Sequence, residues 1–158
     1  MEMNPNDPDE YSFEDLYGEL TSRSNREKYG VWIETAARNG LVNGFPPDYP
    51  DKRPEFRMTE GLPREQAAAI LARAAGLAVS DDTGAVDDAL AKAFVDANDI
   101  SPWARPYVLA AYRAKYIEGV PETGADGKTT YKFEPERELT RAEAAKLVYF
   151  VAKKNGKL

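Results

Sequence analysis

The sequence predicts an all-α fold in which two repeated helix-loop-helix modules pack on each other, with short helices and long loops. Similar residues recur in the same order, since Gly44 and Gly119 are 75 positions apart and Arg64 and Arg141 are 77 apart. Apolar residues in both copies follow the 3.6-residue period of an amphipathic helix. Because a two-helix unit of this size cannot bury its own apolar face, we expect the copies to pack together.

The first predicted module covers residues 13–76 and opens on Phe13-x-Asp15. The apolar face of its first helix is formed by Tyr29, Trp32, Ile33, Ala36, Ala37 and Gly40. Pro63 is expected to begin the second helix, because proline is tolerated at a helix start. The buried stripe of that helix is predicted to consist of Ala67, Ile70, Leu71 and Ala74. Gly76 suits the helix C-terminus.

The second predicted module covers residues 94–154 and opens on Phe94-x-Asp96. The apolar face of its first helix is formed by Trp103, Tyr107, Ala110, Ala111 and Ala114. Pro106 is tolerable near the third helical position, where N–H groups lack intrahelical acceptors. Thr140 and Glu143 form a T-x-x-E capping box for the second helix. The predicted buried stripe of this helix is Ala144, Leu147, Val148 and Val151.

Three segments lie outside these modules. Residues 1–12 are polar and acidic, and we expect the N-terminus to be disordered. Residues 77–93 form an acidic linker in which Val86–Ala93 is expected to add a short helix. Residues 155–158 form a C-terminal tail.

Composition excludes several classes of function. The net charge of −6 and the pI of about 4.8 argue against general nucleic-acid binding, which needs a basic face. Histidine and cysteine are both absent, which removes the commonest general base and thiolate chemistry. No apolar run approaches the length of about 20 residues that a membrane span requires. Together with 42% hydrophobic residues, these features fit an ordinary soluble globular protein, for which we expect no cofactor or metal ion.

The motifs of the second copy resemble those of the S-layer homology module. They are Phe94-x-Asp96, Trp103-Ala104, Gly119, Phe133-x-Pro135 and Thr140-Arg141-Ala142-Glu143. The first copy is similar through Gly40–Pro46, Phe56 and Pro63-Arg64-Glu65-Gln66. It departs from the family pattern at Pro63, where the family has threonine. The second copy departs at Lys115, where the family has glycine before the turn.

This resemblance implies a non-catalytic module that anchors a bacterial surface protein by binding secondary cell-wall polysaccharide. Such polymers are anionic and often carry pyruvylated sugars. The family usually has three modules around a pseudo-threefold axis, whereas two are found here. We therefore expect a third module outside this fragment, or a homo-oligomer that completes the arrangement. The location implied is extracellular, at the cell wall, which requires a mature fragment because no signal-peptide pattern is present.

Arg64 and Arg141 are the leading candidates for ligand contact. Each lies in the first turn of a predicted helix, where a cation is unfavourable beside the positive end of the helix dipole. An anion bound between the guanidinium and the free N–H groups would reverse this effect. The carboxylate of a pyruvate ketal is such an anion. The alternative is that each arginine pairs with a nearby carboxylate, such as Glu65 or Glu143, or is solvated.

The remaining candidates each have a structural alternative. Trp103 suits stacking on a sugar face, although its place on the apolar stripe favours the core, as it does for Trp32. Asp96 suits a sugar hydroxyl, although capping or turn formation is the stronger interpretation. Gly44 and Gly119 suit turn geometry or close approach of a ligand. Glu143 completes the candidate ligand-binding set, and Phe56 and Phe133 are predicted to anchor the core.

Other functions are less well supported by the sequence. The acidic residues from Asp96 fail the calcium-loop pattern, because Ile100 and Tyr107 occupy positions that require oxygen ligands. Nothing places two carboxylates across a cleft, as a glycosidase needs. The alternative function is a protein–protein interaction or S-layer self-assembly module.

Overall fold

The computed structural model describes residues 11–16, 29–47 and 49–156. The chain divides into two compact units, Met1–Glu60 and Gly61–Leu158. The described residues are mostly helical, with five α-helices and two short antiparallel strands. The prediction of an all-α fold is therefore corrected by the strand pair. None of the described helices has both the length and the apolar character needed to cross a membrane.

The first unit contains helix α1 (Val31–Arg38) and a small apolar cluster. The buried members of this cluster are Tyr11, Phe13, Leu16 and Ile33, and Phe56 is among the partly buried residues packed against it. Tyr11 and Ser12 are thus ordered, whereas residues 1–10 of the predicted disordered N-terminus lie outside the described residues. Phe45 and Glu55 form an antiparallel bridge that closes the loop between them.

The prediction that Trp32 lies in the core is wrong, since 71% of the residue is exposed. Helix α1 instead buries Ile33 and Glu34. The Glu34 carboxylate accepts hydrogen bonds from the backbone N–H of Ser12 at 2.8 Å and from its hydroxyl at 2.7 Å. These two bonds offset the cost of burying the carboxylate. Because Ile33 and Glu34 form the buried face of α1, the neighbouring Trp32 lies on its exposed side.

The second unit contains the other four helices, two strands and a short 3-10 turn at Ala97–Asp99. The helices are α2 (Arg64–Ala74), α3 (Thr83–Ala93), α4 (Arg105–Arg113) and α5 (Arg141–Lys154). Helix α2 belongs to the first predicted module by sequence, yet it packs against α4 within this unit. The core comprises Ala68, Leu71, Val86, Leu90, Phe94, Ala97, Ile100, Ala104, Val108, Leu109, Ala111, Ile117 and Phe133. Phe133 is thus a core anchor, as predicted.

Local capping signals explain where these helices begin. The Asp82 side chain accepts a hydrogen bond from Ala85 N, so α3 begins before the predicted Val86. Pro106 is the second residue of α4, where no intrahelical bond is lost. Thr140 and Glu143 form the predicted capping box of α5.

Left-handed residues follow the ends of four of the described helices, with Gly156 after α5 at φ 67°. Gly40 follows α1 with φ 67°, and Gly76 follows α2 with φ 58°. Lys115 follows α4 with φ 59°, a conformation that costs a non-glycine residue about 1 kcal/mol. Lys115, which replaces the glycine of the family pattern, therefore lies at a position whose left-handed backbone favours glycine.

The strands β1 (Val120–Thr123) and β2 (Thr129–Lys132) form a hairpin where the sequence predicted a loop. Val120 pairs with Lys132, and Thr123 pairs with Thr129. Both strands are largely exposed and polar, and Pro121 lies within β1. The alternation of apolar and polar residues that marks a half-buried strand is therefore missing from the sequence.

Helix α5 has no fully buried residue. Leu147 and Val151 are partly buried against the core, as part of the predicted stripe requires. The prediction that Val148 is buried is wrong, because 69% of it is exposed. Only one edge of the predicted stripe contacts the rest of the unit.

Candidate functional site

Arg64 is the most enclosed of the candidate residues, with 6% of its surface exposed. Its Nε donates to the carbonyl of Phe133 at 2.8 Å and its Nη2 to the carbonyl of Glu118 at 3.1 Å. Its Nη1 donates to Glu143 Oε1 at 3.0 Å. Burial lowers the pKa of the guanidinium, with a smaller contribution in the same direction from Arg137. All three guanidinium nitrogens therefore bind groups of the second unit itself.

The amides at the start of α2 are also occupied. Arg64 N donates to the carbonyl of Arg137 at 2.9 Å, and Glu65 N donates to the carbonyl of Pro135 at 3.0 Å. The Glu65 carboxylate accepts from the N–H and hydroxyl of Ser101, which precedes α4. These bonds leave Arg64 without the two free amides that the predicted anion site needs.

Glu143 joins two segments that are distant in sequence. Its carboxylate accepts from Arg64, from Arg137 and from both the N–H and the hydroxyl of Thr140. The Arg137 guanidinium is the main cause that lowers the pKa of Glu143 from 4.5 to about 2, and Thr140 acts in the same direction. Burial opposes this shift but is outweighed. Glu143 is thus ionised and fully engaged in internal bonds.

Arg141 has the opposite surroundings, although it occupies the corresponding position in sequence. It is the first residue of α5 and is exposed. Within the described part of the chain, its guanidinium has no hydrogen-bond or ion-pair partner. Of the two candidate arginines, Arg141 is the one that an external anion can reach.

Trp103 lies in the turn before α4 and is 49% exposed. Because α4 begins at Arg105, the indole lies outside the helical stripe that favoured a place in the core. An indole ring with an open face can stack on an apolar surface of a ligand.

Asp96 binds two backbone N–H groups with its carboxylate. Phe133 N donates to Oδ1 at 2.7 Å and Glu134 N donates to Oδ2 at 2.8 Å. In the first unit, Asp15 accepts in the same way from Phe56 N and Arg57 N, at 2.7 and 2.6 Å. The Asp96 side chain makes no cap bond to the 3-10 turn that follows it, so the local capping or turn role that the sequence favoured is wrong. The carboxylate instead holds the backbone of a segment 37 positions further along the chain.

The two candidate glycines have different constraints. Gly44 has φ 70°, and a Cβ there would lie 2.6 Å from the carbonyl oxygen of Glu55. Gly119 is constrained by contact alone, because a Cβ would lie 2.8 Å from Tyr131 Cβ and 3.0 Å from Phe94 Cε1. Gly119 therefore keeps open the base of a surface pocket.

This pocket has a volume of about 390 Å³. It is lined by Phe94, Tyr112, Glu118, Gly119, Pro121 and Tyr131. The rings of Phe94 and Tyr112 meet edge to face with centroids 4.9 Å apart. The sequence signalled Gly119 but missed the two tyrosines, because the strand that carries Tyr131 was not predicted.

The structure thus joins Asp96, Arg64 and Glu143 through the backbone of Phe133. Asp96 binds its N–H, and Arg64 binds its carbonyl together with the Glu143 carboxylate. Gly44 lies in the other unit. Among the described residues, no group of three potential metal ligands is close enough to hold a metal ion.

Comparison with known proteins finds one family model that matches part of the sequence. The S-layer homology domain matches residues 93–145. The resemblance predicted for the second copy is confirmed over that range, and the resemblance of the first copy stays a prediction.

Two curated relatives extend the similarity. An amylopullulanase of Thermoanaerobacterium thermosulfurigenes is 29% identical over 144 residues, which cover 89% of this chain and 7% of the relative. The exoglucanase XynX of Acetivibrio thermocellus is 30% identical over 144 residues, covering 89% of this chain and 11% of the relative. The chain thus spans a small part of the length of both relatives. No solved structure matches the chain.

Proposed function

We propose that this chain is a non-catalytic anchoring module that binds anionic cell-wall polysaccharide outside the cell. The observation that carries the proposal is the S-layer homology match at residues 93–145. The relatives named as enzymes are many times longer than this chain, which fits a module joined to an enzyme rather than the enzyme itself. The parent protein is therefore proposed to be a surface protein of the same general kind.

Arg141 is the proposed contact for the anionic group of the polymer. It is exposed at the N-terminus of α5, where the helix dipole adds to the attraction for an anion. Trp103 is the proposed stacking surface for a sugar ring, because 49% of the residue is exposed. Arg64, Asp96 and Glu143 position the loops and helix ends of the second unit rather than touch the polymer.

Shared local geometry supports the proposal that the chain holds two modules. Asp15 and Asp96 bind the same pair of backbone N–H groups in their units. The bridge between Phe45 and Glu55 corresponds in sequence to the first pair of the hairpin, Val120 and Lys132. These shared bonds support two related loops, although the first unit has one bridge where the second has a hairpin of four pairs.

The exposed face of α5 supports an additional module or a second copy as partner. Leu71 of α2 is 3% exposed, whereas Val148, at the corresponding position of α5, is 69% exposed. Helix α4 packs against α2, but no described element of the second unit covers the same face of α5. This face also favours the alternative function, a protein–protein interaction or self-assembly module.

A pelleting assay with purified cell-wall sacculi tests the proposal. We expect the chain to sediment with intact sacculi and to stay in solution after acid extraction of the secondary polymer. Arg141→Ala and Trp103→Ala should reduce sedimentation, whereas Lys154→Ala, which removes a cation at the other end of α5, should not. Sedimentation that survives extraction would favour a protein partner instead. If Val148→Asp abolished sedimentation while Arg141→Ala and Trp103→Ala did not, the interaction would be assigned to the exposed face of α5.

A further inference from the structure

We infer that the pocket beside the hairpin is a second carbohydrate subsite, which takes a neutral sugar ring. The inference rests on the proposed function and adds a ligand class to it. The pocket volume of about 390 Å³ lies within the usual range for small-molecule sites, roughly 300–1,000 Å³.

The pocket walls suit the two faces of a pyranose. Tyr112 and Tyr131 are 37% and 48% exposed, so part of each side chain is accessible to a ligand in the pocket. Aromatic faces pack against the apolar C–H face of a sugar, and phenolic hydroxyls can bond its polar edge. Phe94 is buried behind them and holds Tyr112 through the edge-to-face contact.

Charge at the rim decides between a neutral and an acidic ring. Glu118 is the charged residue among those that line the pocket, and its carboxylate lies 3.5 Å from Lys146. A carboxylate accepts hydrogen bonds from sugar hydroxyl or acetamido groups but repels a second carboxylate. An acidic sugar is therefore disfavoured in this pocket, in contrast to the site proposed at Arg141.

The first unit lacks the same walls. Aligning the turn glycines places Ala37 opposite Tyr112, and aligning the bridge residues places Pro54 opposite Tyr131. Gly44 corresponds to Gly119, but no aromatic side chain stands at either wall position. The subsite is thus specific to the second unit, and Tyr112→Ala introduces the residue that the first unit has at the corresponding position.

NMR titration of the full chain with N,N′-diacetylchitobiose and with glucuronic acid tests the inference. We expect the disaccharide to shift the ring resonances of Tyr112 and Tyr131, and glucuronic acid to leave them unchanged. Tyr131→Ala should weaken disaccharide binding about fivefold to tenfold, as expected for one lost stacking contact. Glu118→Gln should retain disaccharide binding and acquire binding of glucuronic acid.

Unmoved tyrosine resonances, or unchanged affinity in a folded Tyr131→Ala variant, would overturn the subsite. Shifts with a proline-rich peptide but not with the disaccharide would overturn it as well. Tyr112 contacts Phe94 of the core, so Tyr112→Ala can fail to fold. In that case the titrations of Tyr131→Ala and Glu118→Gln test the subsite. Arg141→Ala should leave the disaccharide titration unchanged, because Arg141 is not among the pocket residues. If the chain does not sediment with sacculi but the disaccharide still shifts the tyrosine resonances, the proposed function fails and the subsite stands. If the chain sediments but the resonances do not move, the subsite alone fails.

Discussion

The guanidinium of Arg64 donates to the carboxylate of Glu143, which lies 79 positions further along the chain. The bond joins the start of α2 to the first turn of α5, within one compact unit. Arg64 and Glu143 each make additional hydrogen bonds, so replacing either residue removes more than one contact. Four predictions follow from this arrangement and from its neighbours.

Arg64→Ala is expected to destabilise the second unit by about 3 kcal/mol, because it leaves the buried Phe133 carbonyl, the partly buried Glu118 carbonyl and part of the Glu143 carboxylate without a donor. Arg141→Ala is the matched control and should change the free energy of unfolding by less than about 0.5 kcal/mol. Urea unfolding in a Trp32→Phe background reports the second unit through Trp103. Equal effects of the two substitutions would contradict the assignment of different roles.

Glu143 is expected to make stability fall in acid. Its pKa of about 2 is below the usual 4.5, so the folded state binds the proton more weakly than the unfolded chain. The resulting stabilisation is complete above pH 4.5 and is lost as the pH falls through about 2. After allowance for solvent screening, we expect about 1–2 kcal/mol.

Glu143→Gln is the control for this pH dependence. The variant should be less stable than the wild type at pH 7, and the difference should shrink between pH 4.5 and pH 2. Unfolding curves of both proteins across this pH range give the difference in their free energies of unfolding. Because the other carboxylates titrate in both proteins, their contributions cancel in this difference. A difference that is constant with pH would show that the ion pairs of Glu143 do not stabilise the fold.

Lys115→Gly is expected to stabilise the protein by about 0.5–1 kcal/mol, because glycine adopts the φ of 59° without steric cost. Gly40→Ala is the reciprocal change at the end of α1, where a Cβ would meet no atom within 4 Å. It should cost about 1 kcal/mol through backbone strain alone. Thermal unfolding measures both, and a destabilised Lys115→Gly variant would show that the lysine side chain contributes more than its strain removes.

Asp96→Ala is expected to cost about 2–3 kcal/mol, since it leaves the N–H groups of Phe133 and Glu134 without acceptors. Asp96→Asn keeps one oxygen acceptor and should cost about half as much. Chemical unfolding and sacculus pelleting should be measured together. A variant that remains stable but no longer sediments would assign Asp96 to the polymer instead of the turn.

Local signals in the sequence predicted the features that depend on a few neighbouring residues. Thr140 and Glu143 form the predicted capping box, and Gly76 has the left-handed conformation expected after α2. Pro106 lies in the first turn of its helix. Caps, helix starts and helix ends are set by contacts across three or four residues, which are readable from spacing alone.

Tertiary packing decided which of two similar residues became internal. Arg64 and Arg141 occupy equivalent motifs, yet only around Arg64 does the segment from Glu118 to Glu143 supply acceptors. The same holds for Leu71 and Val148, whose burial depends on whether another helix packs against their face.

The amino-acid sequence by itself thus determined the helix starts, the turn glycines and the resemblance to the S-layer homology family. The three-dimensional structure determined the burial of Arg64, the exposure of Trp32 and the tyrosine pocket. The physical reason is distance along the chain: a cap is completed within one helical turn, whereas burial depends on segments that meet only after folding.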